Sequence, residues 1–500
     1  MMDILNNLTL GFGVALTPMN LLYCLFGVTL GTLIGVLPGI GPIATIAMLL
    51  PVTFGLPAVG ALIMLAGIYY GAQYGGSTTA ILINIPGEAS AAVTCLDGYA
   101  MARQGRAGPA LAIAAMGSFF AGCVATIIVA LFAPPLAEVA LKFWAAEYFS
   151  LMLLGLVSAT VLARGSLLKA IAMVILGLLL GLVGTDVTSG TLRFTFGIAE
   201  FSDGIGFVAV AMGLFGFAEV IVNLTQGGKR EVLTSKISGL MPTRADLKTS
   251  WKAVLRGTGL GSLLGILPGG GALLSSFASY TLEKRLAAVP SRFGKGAIEG
   301  VAGPEAANNA GAQTSFIPML TLGIPSNAVM ALMLGAMMIQ GIAPGPQVID
   351  KLPQLFWGMI ASMWMGNIML LVINLPLIGI WVRMLTMPYQ MLYPAILLFC
   401  CIGAYSINYS SVDVLSTAGF GLLGYIFYIL DCEPAPLLLG FILGPMMEES
   451  LRRAMLISQG DPTVFFTRPI SLAMLIGAAL LLLLVIVPAA RKKREEVFRE

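Results

Sequence analysis

The chain has 500 residues, 58% hydrophobic and only 10% charged, with a net charge of +3 and a mean hydropathy of +0.94. Soluble globular proteins carry about 25% charged residues, and a soluble core stops growing near roughly 250–300 residues. The composition therefore excludes a soluble globular domain and predicts an all-α polytopic membrane protein, with roughly ten to twelve membrane segments, some of them broken.

Taken in chain order, the first residues, MMDILNNLTLGFGV, contain no Lys or Arg. They lack the basic region of a cleaved signal peptide, so the first apolar segment is expected to be retained. Residues 31–42, GTLIGVLPGIGP, place Pro38, Gly39 and Gly41 inside an apolar run. Residues 71–91, GAQYGGSTTAILINIPGEASA, gather Ser77, Thr78, Thr79 and Asn84 ahead of Pro86, Gly87 and Glu88. Apolar runs at 109–133 and 167–183 are long enough to span a bilayer or close to it. A polar stretch at 226–252 follows, read as a cytoplasmic linker that connects the halves, with binding of a partner as the alternative. Beyond it come GSLLGILPGGGA at 261–272, GAQTSFIPMLTLGIPSNAVMA at 311–331, apolar runs at 391–404 and 470–489, and the tail RKKREEVFRE.

The two Pro-Gly phrases are near-copies. Gly31, Leu33, Gly35, Leu37, Pro38, Gly39 and Gly41 recur at a constant offset of 230 as Gly261, Leu263, Gly265, Leu267, Pro268, Gly269 and Gly271. The two Gly-Ala-Gln stretches recur in the same order and both end in Ile-Pro, at Ile85-Pro86 and Ile324-Pro325. Such self-similarity predicts internal duplication. The expected organisation is a first membrane half at 1–225, the linker at 226–252, a second half at 253–490 and a basic cytoplasmic tail at 491–500. An inverted relation between the halves is preferred.

Pro lacks an N–H and clashes with the preceding helical turn, while Gly tolerates conformations other residues avoid. Together they stop a helix within the membrane. Each backbone polar group left unpaired in lipid costs several kcal/mol, so breaks persist where protein or a polar cavity satisfies them. Secondary transporters place substrate and ion sites at such breaks. The candidate substrate-binding set is Ser77, Thr78, Thr79, Asn84, Pro86, Gly87, Asn308, Asn309, Thr314, Ser315, Pro325, Ser326 and Asn327. Pro38, Gly39, Gly41, Glu88, Pro268, Gly269, Gly270, Gly271 and Ser275 form the turns or hold a coupling cation there, Na⁺ and H⁺ both being compatible. Ser326 stands where a Gly would mirror Gly87.

Other chemistry finds little support. His is absent, which removes the commonest metal ligand and neutral-pH proton shuttle. No HExxH, Ser–His–Asp set or P-loop occurs, so neither an enzyme nor direct ATP drive is expected, and no cofactor. The six Cys show no CxxC spacing and read as small buried hydrophobes. Acids near apolar stretches are often cation or proton sites; Asp97, Glu219, Glu305 and Asp413 are expected instead to cap helices or sit at interfaces, and Glu88 either to do the same or to help neutralise a coupling cation. Lys and Arg cluster at 103–106, 164–169, 229–256, 284–295 and the tail. The positive-inside rule puts these on the cytoplasmic side, and nothing in them points to nucleic acid.

LPGIGP and LPGGGA, with YGGSTTAILINIPGE and PEAANNAGAQTSFIPMLTLGIPSNA, strongly resemble the large membrane subunit of the tripartite tricarboxylate transporters, the TctA family. The resemblance covers nearly the whole chain. It implies a bacterial inner-membrane protein working with a small membrane subunit and a periplasmic solute-binding protein, importing organic di- or tricarboxylates by cation symport. It also implies, by analogy with other broken-hairpin transporters, an elevator-like movement of the hairpin tips against a scaffold. The rival readings are a passive anion channel, which would need a continuous polar stripe, and a non-transporting scaffold subunit, which has no reason to bear the cost of duplicated breaks.

Overall fold

The computed structural model describes residues 2–37, 41–163, 166–186, 189–226, 239–267, 271–385 and 393–486. The expected turn residues Pro38, Gly39, Pro268, Gly269 and Gly270 and the basic tail lie outside them, as does much of the linker.

The longer helices, numbered in chain order, are α1 (Met2–Ala15), α2 (Pro18–Val36), α3 (Gly41–Phe54), α4 (Ala58–Ile83), α5 (Ala107–Ala140), α6 (Ala145–Leu162), α7 (Leu167–Gly181), α8 (Phe207–Thr225), α9 (Arg244–Gly265), α10 (Gly271–Leu286), α11 (Glu299–Thr314), α12 (Phe316–Leu322), α13 (Ala328–Ile339), α14 (Pro353–Asn374), α15 (Ile378–Met384), α16 (Tyr393–Asn408), α17 (Ser411–Ile429), α18 (Ala435–Ile457) and α19 (Pro469–Ile486). The described strands are a two-residue antiparallel pair, Gly184–Thr185 with Leu192–Arg193. Five of the described helices, α2, α5, α8, α14 and α17, are long and apolar enough to cross a membrane, and shorter apolar helices accompany them. The fold class is that of an all-α membrane protein.

The helices stop where the sequence says they must. Helix α2 ends at Val36 and α3 restarts at Gly41, and α9 ends at Gly265 with α10 restarting at Gly271. These gaps hold the two Pro-Gly phrases. One boundary differs from expectation: α9 begins at Arg244, so the described end of the 226–252 stretch is already helix. The cause is a capping box, in which the Thr243 hydroxyl accepts from the Asp246 N–H and Asp246 accepts from the Thr243 N–H.

Two close helix pairs form the centre. In lipid, helices associate through small residues that let backbones approach. On α2, Gly27, Gly31 and Gly35 lie against the carbonyls of Met64, Ile68 and Ala72 on α4; a Cβ at Gly31 would fall 2.3 Å from the Ile68 oxygen. On α9, Gly257, Gly261 and Gly265 lie in the same way against the carbonyls of Gly303, Ala307 and Gly311 on α11. Helices α5 and α14 both pack on α4, and α5 also on α11, tying the pairs together. Around them, α7 pairs with α18, α6 with α18 and α19, and α17 with α8. The outer helices α16, α17 and α19 expose Phe399, Leu415 and Leu483, side chains suited to lipid.

At one end of the bundle, Arg106 pairs with Asp246 at 2.5 Å and Gln104 donates to the Lys295 carbonyl at 2.8 Å. The charge clusters around 103–106, 244–256 and 284–295 therefore share that end.

Candidate functional site

Each helix break leaves carbonyls without intrahelical partners. Hydroxyls from the paired helix answer them. Thr79 Oγ1 shares its hydrogen between the Gly35 carbonyl at 2.8 Å and that of Gly75 in its own helix at 2.9 Å, and Ser315 Oγ likewise between Gly265 at 3.2 Å and Gly311 at 2.7 Å. Beside the first of these, Gly87 is required by space: a Cβ there would come within 2.0 Å of the Gly35 oxygen. Its counterpart Ser326 is accommodated, buried, with its hydroxyl donating to the Ser315 carbonyl at 3.3 Å. Each Ile-Pro follows a residue in the left-handed region, Asn84 at φ 56° and Gly323 at φ 70°.

The segments after all four breaks meet at one cavity of about 150 Å³. Ile43 comes from the first turn of α3, Glu88 and Ala89 from the segment after Pro86, Ala272 and Leu273 from the first turn of α10, and Asn327 to Val329 from the start of α13. Tyr69, whose hydroxyl faces Asn327, joins them. The opposite wall is Ala159 and Ala163 of α6 with Pro436 and Leu439 of α18. With Ala435 and Pro436 opening α18, four helix N-termini thus share one space, and each carries about half a positive charge. No Lys or Arg lines the cavity among the described residues, whereas Glu88 and Glu433 do.

Asn327 is the N-cap of α13: its Oδ1 accepts from the Met330 N–H at 3.0 Å, and its amide donates to Ser315 Oγ at 3.3 Å. Glu88 Oε1 accepts from Gln73 Nε2 at 3.0 Å, while Glu88 Oε2 has no hydrogen-bond partner among the described residues. Ser90 donates to the Gln73 side-chain oxygen at 3.0 Å.

Of the residues expected from sequence, Glu88 and Asn327 reach the cavity, and Thr79, Gly87, Ser315, Ser326 and Gly271 form the layer behind it. Ser275 donates to the Gly271 carbonyl at 2.7 Å, and Thr314 to that of Ala310 at 3.1 Å. Asn84 and Pro86 are exposed and Pro325 is buried; none of the three lines the cavity. Ser77, Thr78, Asn308 and Asn309 stand deeper, around α11: Asn309 donates to Ser118 Oγ at 2.7 Å, and Ser77 meets Glu305 at 2.5 Å.

Two acids depart from the expected capping role. Asp97 is buried and caps no helix: it accepts from the Gly296 and Ala297 N–H groups at 2.8 and 2.7 Å and from the Tyr280 hydroxyl at 3.0 Å, ahead of α11, which starts at Glu299. Glu305 is fully buried and bonded to Ser77 and Thr94 side chains rather than to a helix end. The sequence signal for it was available: an acid in PEAANNAGAQT, beside two Asn and a Gln. Gln73, likewise unassigned from sequence, sits in the first Gly-Ala-Gln.

Comparison with known proteins accords with this arrangement. Residues 21–439 match the profile described as "Tripartite tricarboxylate transporter TctA family". The chain is 62% identical over 475 residues, 95% of both chains, to an Agrobacterium vitis protein described as an uncharacterized 52.8 kDa protein in the TAR-I ttuC' 3' region. It is 64% identical over 215 residues, 43% of this chain and 89% of the relative, to another from that organism, described as an uncharacterized protein in the TAR-II ttuC' 3' region. No solved structure matches. The chain belongs to the tripartite tricarboxylate transporter TctA family, as a membrane-embedded transporter subunit.

Proposed function

We propose that the chain is the large membrane subunit of a bacterial inner-membrane importer that takes organic di- or tricarboxylates from a periplasmic solute-binding protein, with a small membrane subunit as its second partner. The observation that carries this is the cavity on which the segments after all four breaks converge. Four helix N-termini offer a carboxylate their positive field, and Asn327 offers an amide. An anion entering a space already lined by Glu88 and Glu433 needs a companion positive charge, which favours cation symport over unassisted entry.

The matched glycine stripes of α2 and α9, and the matched hydroxyl-to-carbonyl bonds of Thr79 and Ser315, support descent of the two halves from one repeat. In this reading the paired helices and the tips after each break move together as a transport unit, in elevator fashion, against α6, α7, α18 and α19. The basic loops that share one end of the bundle mark the cytoplasmic side.

The test is uptake from a mixed pool of carboxylates into vesicles holding the protein and its small partner, with the binding protein outside and a Na⁺ or pH gradient imposed in turn. Accumulation of one acid only with the binding protein and one gradient supports the reading. Equilibration without either identifies a channel, and no flux at all a scaffold subunit.

A further inference from the structure

Building on the importer reading, we propose that Glu305 is a proton-carrying group of the transport cycle, held as a neutral carboxylic acid in this conformation and linked through Gln73 to Glu88 in the cavity.

The first observation is a missing countercharge. Buried acids elsewhere in the chain have one: Glu147 pairs with Arg468, Glu283 with Arg256 and Asp186 with Arg452. Asp97 has two backbone N–H groups. Glu305 is fully buried and pairs with no Lys or Arg among the described residues. An isolated ionised carboxylate in such a place is strongly disfavoured and takes up a proton instead.

The second is a count of hydrogens. Ser77 Oγ lies 3.0 Å from the Gln73 carbonyl and 2.5 Å from Glu305 Oε2. A hydroxyl has one hydrogen. Given to Glu305 Oε2, it leaves the Gln73 carbonyl without it; given to the Gln73 carbonyl, it leaves the contact with Glu305 to a hydrogen of the carboxyl, so a neutral carboxyl satisfies both contacts at once. Thr94 then donates to the other oxygen, Oε1. The Asn308 amide faces the same carboxyl, with neither of its polar atoms in a well-aligned hydrogen bond.

The third is room. The void beside Ser77, Thr78, Tyr74 and Ser118 measures about 10 Å³, space for one water at most, and a proton needs no more. The titratable groups facing Glu305 are Glu88, Tyr74 and Cys95; α9 and α10 bring Arg256 and Glu283, which bind each other.

Gln73 makes the link. Its side chain donates to Glu88 and its carbonyl faces Ser77. A carboxylate bound beside Glu88 shifts Gln73, and with it the stability of the proton on Glu305. On release the carboxyl O–H bond breaks, its electron pair stays on Glu305 and the proton passes to water.

The test is infrared difference spectroscopy on the purified full-length protein in lipid, with alkaline pH steps and no substrate. The wild type should show loss of a protonated-carboxyl C=O band. Glu305→Gln should lack that band and Glu88→Gln should keep it. Thr94→Val, which removes the donor to Oε1, should keep the band but move it to higher wavenumber; this variant decides the matter if Glu305→Gln does not fold. A band unchanged in Glu305→Gln, or unmoved in Thr94→Val, overturns the proposal. In vesicles offered the mixed carboxylate pool, Glu305→Gln should lose its response to an imposed pH gradient, and a wild-type response retained by this variant overturns the proposal too. Wild-type vesicles that move no carboxylate while the band is intact overturn the importer reading and leave the proton on Glu305.

Discussion

Asn84 and Gly323 hold the same left-handed backbone turn, at φ 56° and 70°, each directly before an Ile-Pro pair. One half of the chain uses a glycine there and the other an asparagine, the side chain that best tolerates this region. The turn ends α4 and α12 and swings the chain toward the cavity.

The first prediction concerns this pair. Gly323→Ala forces a Cβ into the left-handed region and should cost about 1–2 kcal/mol of stability. Asn84→Gly should leave both the thermal midpoint in detergent and carboxylate uptake near wild type. Lost uptake in a stably folded Asn84→Gly protein would show that the amide itself contacts substrate.

The glycine stripes give the second. Gly31→Ala and Gly261→Ala each place a Cβ 2.3 Å from a carbonyl oxygen of the partner helix. Both should lose about 2–3 kcal/mol by overpacking, whereas Gly259→Ala, with open space around it, should not. Thermal unfolding of the three purified variants checks this.

A third addresses the cavity. Asn327→Ala removes the N-cap of α13, costing about 1 kcal/mol, and removes the amide facing the space. Uptake should fall at least about tenfold, equivalent to 1.4 kcal/mol of lost interaction. Asn327→Ser, which keeps the cap, should restore the midpoint but not the full uptake.

The fourth follows from charge. Arg256 donates twice to Glu283, at 2.7 and 2.5 Å, and the Glu283 side chain is only 2% exposed. Arg256→Ala leaves that acid unpaired and should cost about 2–3 kcal/mol, below the 3–5 kcal/mol of a wholly buried pair because the arginine reaches solvent. Replacing both partners by Leu and Met should recover most of the loss.

The fifth is a pH dependence. Burial pushes the Asp246 carboxyl up, but the Thr243 hydroxyl and N–H together with the Arg106 guanidinium more than offset this, so the group titrates below its ordinary 3.8. A lowered native value means the charged form is favoured by folding. The contribution is therefore fully present above the unfolded value and fades as pH falls through the native one. Asp246→Asn should be less stable than wild type at neutral pH and converge with it under acid, as read by unfolding midpoints across pH.

The membrane class, the helix breaks and the polar residues behind them were legible in sequence because each depends on local chemistry: Pro and Gly end helices wherever they fall, and apolar runs need no partner to be recognised. Thr79 and Ser315 could be picked out by type, but their roles as donors to Gly35 and Gly265 depend on which helix lies alongside. The cavity wall from α6 and α18 was invisible, since Ala159 and Leu439 look like any lipid-soluble residues until the fold sets them opposite Glu88. Glu305 was visible as an acid but misplaced, because nothing local separates a buried carboxyl from one at a membrane surface. Asn84 was legible as special, yet the sequence could not say whether its side chain or its backbone mattered.

The absence of Lys or Arg from the described cavity lining has a kinetic meaning. A fixed cation would hold a carboxylate at a single point and let go slowly. Partial charges spread over several helix ends would hold it more diffusely. On the importer reading, grip falls as the ends move apart, so movement of the helices and loss of the proton from Glu305 act together to empty the chamber.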